Sequence, residues 1–354
     1  MADKLLYIGN DISDINCGAD AVNKMNISCL QSVFHGNIKI LPLIKNSIRD
    51  KLLSYIGGID QHLEKNILSN LESGEYNYIF LSSSLMGRIA KKIKKKNPHV
   101  KIITFYHNIE IQYAKELIKT HGYKHCFFYI NALFNESIAC KYSDVRITLN
   151  TRDSTLLKQL YRVDATEILP VSYRDRFDFN KIIKNELEIN SYLFVGTSFF
   201  ANIEGIRWFV KNVMPKVNGK LIIVGSGMEN YKEEFSSDMI SVYGYVNDLA
   251  DYYYRSSFVI APIFVGGGMK TKIAEATMYG KTVLGTKEAF EGYAENPEVL
   301  VECTTPEEFI LNISCISTKQ LGYNAEARDY YLRNHSEEAT LFKFQKIFQK
   351  IKML

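Results

Sequence analysis

The chain has 354 residues, 46% of them hydrophobic and 23% charged, and a formal net charge of +4. That length exceeds one ordinary core and fits two domains, while the composition excludes a disordered or collagen-like chain. The mild charge gives no argument for nucleic acid as a partner, and no apolar run reaches the roughly 18 residues of a membrane span.

The chain opens as Met1-Ala2-Asp3-Lys4 and runs straight into Leu5-Leu6-Tyr7-Ile8. That is a strand-like start without the layout of a signal peptide, so the expected location is the cytoplasm. Strands are expected over 5–9, 38–43, 78–81, 100–106, 145–149 and 167–171, with helical stretches between them at 59–71, 86–96, 110–120 and 127–141. A second series follows, with strands at 192–196, 221–224, 241–243, 258–261, 282–285 and 299–301 and helices at 203–213, 248–255, 271–279 and 306–313. The chain ends in a helix-like run over 325–350 with a break near Asn334-His335. Continuous apolar strands imply burial on both faces, the mark of a parallel sheet covered by helices. The expected architecture is therefore α/β. Two Rossmann-like, doubly wound parallel-sheet domains span 1–172 and 191–332 and face a cleft. A polar linker over 173–190 joins them, and a terminal helix over 333–354 returns to the first domain. Ligands in such sheets bind outside the strand C-termini.

Six cysteines (Cys17, Cys29, Cys126, Cys140, Cys303 and Cys315) stand apart with no Cys-x-x-Cys pair. Neither a zinc site nor a disulfide framework is expected, and the thiols read as reduced and mostly buried.

The most informative segment is Phe258-Val259-Ile260-Ala261-Pro262-Ile263-Phe264-Val265-Gly266-Gly267-Gly268-Met269-Lys270-Thr271-Lys272-Ile273-Ala274-Glu275-Ala276. A buried strand runs through a three-glycine turn into a helix. The missing Cβ atoms admit a ligand to the backbone. The helix start offers free N–H groups and about half a unit of positive charge, a combination that suits a diphosphate. Lys270 and Lys272 add full charges on the same turn. Glu275, one helical turn after Thr271, can accept both hydrogen bonds of a ribose diol. A tight αβ connection with solvated lysines is the competing reading of this segment alone.

With these motifs in view, the sequence resembles the retaining GT-B glycosyltransferases of group 1, or family 4. Tyr192–Gly196 followed by Asn202–Phe209 resembles the family's first C-domain strand, glycine loop and helix, and 221–227 its second strand and turn. Residues 242–246, with Asp248-Leu249 and Tyr252-Tyr253, resemble the segment framing the nucleotide base, and 262–283 the donor-site motif. The resemblance covers 192–286 in order and is loose in the N-terminal half.

The resemblance implies a glycosyl- or hexosyltransferase with a UDP-, GDP- or ADP-sugar donor and a glycan or lipid-linked acceptor, in bacterial-type surface polysaccharide assembly. Glu275 matches the second glutamate of the family's paired-glutamate motif; eight positions earlier, where the first would stand, is Gly267. The backbone N–H groups of Gly267, Gly268 and Met269 are expected to replace it. Around the first loop Gly196, Thr197, Ser198 and Asn202 offer no Arg or Lys, so Lys270, or alternatively Lys272, takes over charge neutralisation. The remaining donor-site candidates are Gly225, Tyr245, Val246, Gly266, Thr271 and Gly18, the last either a phosphate-loop glycine or a plain turn. In Thr104-Phe105-Tyr106-His107-Asn108-Ile109-Glu110, His107 is expected at the donor sugar, and Asn108 and Glu110 at the acceptor or as ordinary helix caps. No Asp-x-Asp run occurs, and neither a metal nor another cofactor is expected.

Arg88, Lys91, Lys92, Lys94, Lys95 and Lys96 form a basic segment, read either as a solvated face or as a docking site on the anionic inner face of the cell membrane. The aromatic-rich stretch His121–Phe134 can assist such docking, although within it Cys126-Phe127-Phe128-Tyr129-Ile130 reads rather as buried core. Two other readings remain open: a nucleotide-sugar 2-epimerase, and a non-catalytic GT-B partner subunit, to which the missing first glutamate lends weight.

Overall fold

A computed structural model describes residues 3–10, 18–43, 61–72, 76–184, 190–316 and 322–353. Cys17, and residues 59–60 of the expected helix over 59–71, lie outside the described residues. The chain divides into two compact units, Met1–Pro170 with Thr340–Leu354, and Val171–Ala339.

In the first unit the strands are β1 (Leu5–Asn10), β2 (Ile38–Leu43), β3 (Tyr78–Leu81), β4 (Lys101–Tyr106), β5 (Val145–Thr148) and β6 (Glu167–Ile168). They pair in parallel in the order β2-β1-β3-β4-β5-β6. Continuous runs such as Tyr78-Ile79-Phe80-Leu81 are buried on both faces, as a helix-covered parallel sheet requires. The helices are α1 (Gly18–Val33), α2 (Gln61–Glu72), α3 (Gly87–Lys96), α4 (Glu110–His121), α5 (Cys126–Tyr142) and α6 (Thr151–Tyr161). On α3 the i,i+4 pair Ile89 and Ile93 is buried while the lysines point outward. Ile89 and Ile93 join Leu6, Ile8, Ile79 and Ile102 in one core cluster. Helix α6 starts where the Asn150 side chain accepts from the Asp153 amide at 2.7 Å, a standard N-cap.

The run from Cys126 to Ile130 departs from its expectation as core. Phe127 is 69% exposed and Ile130 48%. The buried face of α5 is instead Asn131, Ala132, Asn135, Glu136, Ala139 and Cys140. With polar residues turned inward and bonded there, the apolar side of the helix is left facing out.

The second unit contains α7 (Phe179–Lys184), β7 (Ser191–Val195), α8 (Phe200–Asn212), β8 (Lys220–Val224), α9 (Lys232–Phe235), β9 (Ile240–Tyr243), α10 (Ala250–Arg255), β10 (Phe258–Ala261), α11 (Thr271–Met278), β11 (Val283–Gly285), β12 (Leu300–Glu302), α12 (Pro306–Ile316) and α13 (Ala325–Asn334). Its six parallel strands run β12-β11-β10-β7-β8-β9. Helix α7 lies inside the polar stretch expected as linker.

Helix α13 stops at His335, and Ser336 accepts from the Ala339 amide at 3.1 Å, restarting the chain as α14 (Glu337–Met353). From Thr340 onward α14 belongs to the first unit. There Phe348 packs edge-on against Phe34 (4.8 Å) and Tyr78 (5.3 Å), and Lys352 pairs with Asp3 at 2.7 Å.

Of the cysteines described, Cys29, Cys140 and Cys303 are buried, Cys126 is partly exposed and Cys315 exposed. No helix among the described residues is long and apolar enough to cross a membrane.

Candidate functional site

The strand order of the second sheet fixes where a ligand can meet its backbone. From β7 the chain steps outward through β8 to β9, returns to β10 on the other side of β7, and continues to β11 and β12. The crevice beyond the strand ends at such a reversal is the usual ligand position in open α/β sheets. Two loops leave the sheet there: Gly196 to Phe199 after β7, and Pro262 to Lys270 after β10.

The second of these is the glycine turn. Gly266 has φ +144° and Gly268 φ +61°, conformations that side-chain-bearing residues rarely adopt. The backbone amides of Gly267, Gly268, Met269, Thr271 and Lys272 donate to no group among the described residues. Helix α11 has no side-chain N-cap. Its fourth amide, Ala274, is met by the Tyr293 hydroxyl at 3.2 Å, which in turn donates to the Lys270 carbonyl at 2.8 Å. The turn is thus anchored at its end while its leading amides stay open. The Met269 side chain is buried and pins the turn from beneath. Trp208 packs on Phe264 at 4.7 Å, and Thr286 donates to the Ile263 carbonyl.

The two lysines sit differently. Lys270 Nζ pairs with Glu288 at 2.6 Å and donates to the Gly268 carbonyl at 3.2 Å. Lys272 Nζ donates to Asn202 Oδ1 at 2.7 Å and lies 4.1 Å from the centre of the Phe194 ring, a cation–π distance. No carboxylate pairs with it among the described residues. Burial, and then the neighbouring charge of Lys270, lower its pKa from 10.5 to about 7. A Cβ at Gly196 would stand 2.8 Å from Lys272 Nζ and 2.9 Å from Asn202 Nδ2. The ammonium therefore lies directly against the first loop, and glycine is what admits it. Asn202 also donates to the Thr197 carbonyl at 2.8 Å, so it ties the first loop to the helix of the second.

Glu275, partly buried on α11, accepts from the Tyr253 hydroxyl at 3.1 Å. Burial raises its pKa to about 7, against the lowering effects of the Tyr253 bond and Arg176. Tyr253 stacks on Tyr279 at 4.7 Å. Gly225, at the end of β8, is backed directly by the Gly196 carbonyl. After β9, Tyr245 is exposed and Val246 half-buried.

In the first unit the order reverses between β1 and β3. Residues 11–17 lie outside the described residues; Gly18, expected in a loop, is the first residue of α1. His107 follows β4 directly, with Nε2 3.0 Å from Asn23 Oδ1 of α1. Burial lowers its pKa to about 4, more than Asp20 and the Ser82 backbone raise it, so the imidazole is neutral at neutral pH. Asn108 is half-buried and Glu110 buried. Neither caps α4. That role falls to Glu136, whose carboxylate accepts from the amides of Glu110 (2.8 Å) and Ile111 (3.2 Å), from Ser84 (3.0 Å) and from Tyr161 (2.7 Å). Burial, then Glu136 and Asp153, push Glu110 up to about 8.

The open amides at the switch point and the lysine beside them form a site suited to an anion. Residues 190–318 match the family Glycosyl transferases group 1. The fold is the two-domain Rossmann-like GT-B fold. It is shared with Anabaena HepE, solved with UDP and glucose (TM-score 0.67, 13% identity, 99% of this chain and 100% of that one). The lipopolysaccharide outer core galactosyltransferase WaaB is similar (TM-score 0.64, 14% identity, 98% and 99%). So is the α,α-trehalose 6-phosphate synthase of Burkholderia multivorans (TM-score 0.66, 11% identity, 100% and 98%). No curated protein matches by sequence. The family match and the fold together support a glycosyltransferase, the class that the sequence motifs implied.

Proposed function

We propose that the chain moves a glycosyl group from a nucleotide-diphosphate sugar, bound in the second unit, to a glycan or lipid-linked acceptor held by the first, in surface polysaccharide assembly of a bacterial type. The observation that carries this reading is the set of open amides of Gly267, Gly268, Met269, Thr271 and Lys272, with the Lys272 ammonium beside Gly196, at the switch point of the sheet. As the bond between the anomeric carbon and the β-phosphate oxygen breaks, its electron pair passes to that oxygen. Fixed donors aimed at it lower the barrier. We assign that work to the turn amides, the start of α11 and Lys272. Lys270, paired with Glu288 and the Gly268 carbonyl, holds the turn and adds charge behind it. The acceptor hydroxyl oxygen bonds to the anomeric carbon on the face the leaving group vacates, and its proton passes to the departing phosphate, giving retention without a metal. Gly196, Thr197, Asn202 and Gly225 line the diphosphate side, and Tyr245 and Val246 the base. Glu275 takes the ribose diol. To His107, neutral, we assign the donor sugar, and to Asn108 and Glu110 the acceptor. HepE, the neighbour solved with UDP, makes uridine the first base to test.

The test is a panel of nucleotide sugars with and without acceptor extract, read as nucleoside diphosphate release and product NMR. Acceptor-dependent release with a retained anomeric centre is expected. An altered free sugar without acceptor identifies a 2-epimerase, and binding without turnover a partner subunit.

Glu275 should set the acid limb of donor affinity. Its carboxylate must be ionised to accept the diol, so affinity should fall as pH drops below about 7. Glu275→Gln should weaken UDP-glucose binding by about 10- to 100-fold at pH 8, the worth of hydrogen bonds to a charged group, and flatten that limb. UDP-glucose is the suitable ligand, since its phosphate diesters do not titrate there. Calorimetry from pH 5.5 to 9 reads both effects.

A further inference from the structure

Five large apolar side chains stand together on the surface of the first unit. Tyr123 is 85% exposed, Phe127 69% and Phe134 60%, with Ile130 and Leu133 also exposed. Phe127, Ile130 and Phe134 fall at successive helical turns on the outward face of α5, and Tyr123 lies just before it. An aromatic stripe of this kind on an otherwise charged protein surface marks an interaction site.

The charges around it are mostly basic. Lys115 and Lys119 are exposed on α4, Lys124 follows Tyr123, and Lys141 is exposed one helical turn beyond Ser137 on α5. On the other flank Arg88 is exposed on α3, its amide donating to Asn135 of α5 at 3.2 Å. None of these five cations is in an ion pair among the described residues. Of the acids between 110 and 142, Glu110 and Glu136 are buried, and only Glu116 reaches the surface. The basic segment of α3 thereby lies beside the aromatic stretch, joined to it through the Arg88 amide and Asn135. Lys92 and Lys94 are engaged with Glu64 and Asp144, whereas Arg88 and Lys95 share an open face.

We propose that the outward face of α5 docks the protein on an anionic lipid bilayer, with the aromatic side chains entering the headgroup region and the surrounding lysines and Arg88 meeting lipid phosphates. Phenylalanine and leucine suit the acyl boundary and tyrosine the headgroup level, and each basic residue near such a surface strengthens binding about fivefold. The charge pattern argues against a second copy as the occupant. A two-fold contact on this face would bring two basic rims together.

The test uses the full chain in co-sedimentation with phosphatidylcholine vesicles with and without phosphatidylglycerol. Binding is expected only with phosphatidylglycerol and should fall as salt rises. Phe127→Ser with Phe134→Ser should reduce partitioning about tenfold or more. Lys119→Glu with Lys124→Glu should remove the preference for the anionic lipid. Both variants alter exposed residues and should melt at the wild-type temperature. Wild-type protein that stays in solution with both vesicle types overturns the proposal, as does equal binding to both. A concentration-dependent dimer in sedimentation velocity that the double serine variant abolishes also overturns it, and gives the face to a second copy.

Discussion

Lys272→Met should lower turnover with a nucleotide sugar by about 10²- to 10³-fold, the usual effect of losing one donor aimed at a developing oxyanion. The substitution keeps the length and apolar stem that pack over Phe194 but removes the ammonium beside Gly196. The sign of the accompanying pH effect follows from the same site. Burial holds the free-enzyme ammonium at about pKa 7, and a bound diphosphate favours the protonated form. Binding above pH 7 must therefore take up a proton, and affinity should fall as pH rises, by up to tenfold per unit while pH lies between the free and bound values. The methionine variant should bind weakly and without that alkaline limb. With the acid limb assigned to Glu275, wild-type affinity for UDP-glucose should peak near neutral pH. The structural counterpart is thermal stability at pH 7 no lower than wild type, since an amine buried without a carboxylate partner is replaced by an apolar chain.

Gly205→Ala should destabilise the second unit by about 3 kcal/mol or more, at the upper end of overpacking costs, lowering its melting temperature by about 6–12 °C. Gly205 lies on the buried face of α8, and a methyl group there collides with the carbonyl oxygen of Pro262, a backbone atom that no rotamer change can move aside. Pro262 leads from β10 into the glycine turn, so the relief of that clash displaces the turn. The variant should lose donor affinity as well as stability. Differential scanning fluorimetry with and without UDP-glucose separates the two. A melting temperature within a degree of wild type would show that α8 and β10 are not held at the distance described.

Much of this was legible in the sequence because it rests on local signals. Continuous apolar runs such as Leu221–Val224 and Phe258–Ala261 have one stable use, burial on both faces of a parallel sheet. A strand ending in Gly266-Gly267-Gly268 before a helix announces its own turn. What stayed hidden depends on residues far apart in the chain. Nothing local to Lys272 indicates that Asn202 holds it, nor does anything near Glu275 name Tyr253. Nor does anything near Lys270 announce its ion pair with Glu288. The cap of α4 is similar: Asn108 and Glu110 have the right chemistry in the right place, yet Glu136, 26 residues on, reaches both leading amides. The apolar run at Phe127–Ile130 shows a different limit. Periodicity tells which side of a helix is apolar, not whether another element covers it.

The measurement closest to the central claim is a crystal structure of the full chain soaked with UDP. The β-phosphate should lie within hydrogen-bond reach of the amides of Gly267, Gly268, Met269, Thr271 and Lys272, with Lys272 Nζ turned onto it and Glu275 on the ribose. A diphosphate bound elsewhere, with this turn empty, would contradict that claim.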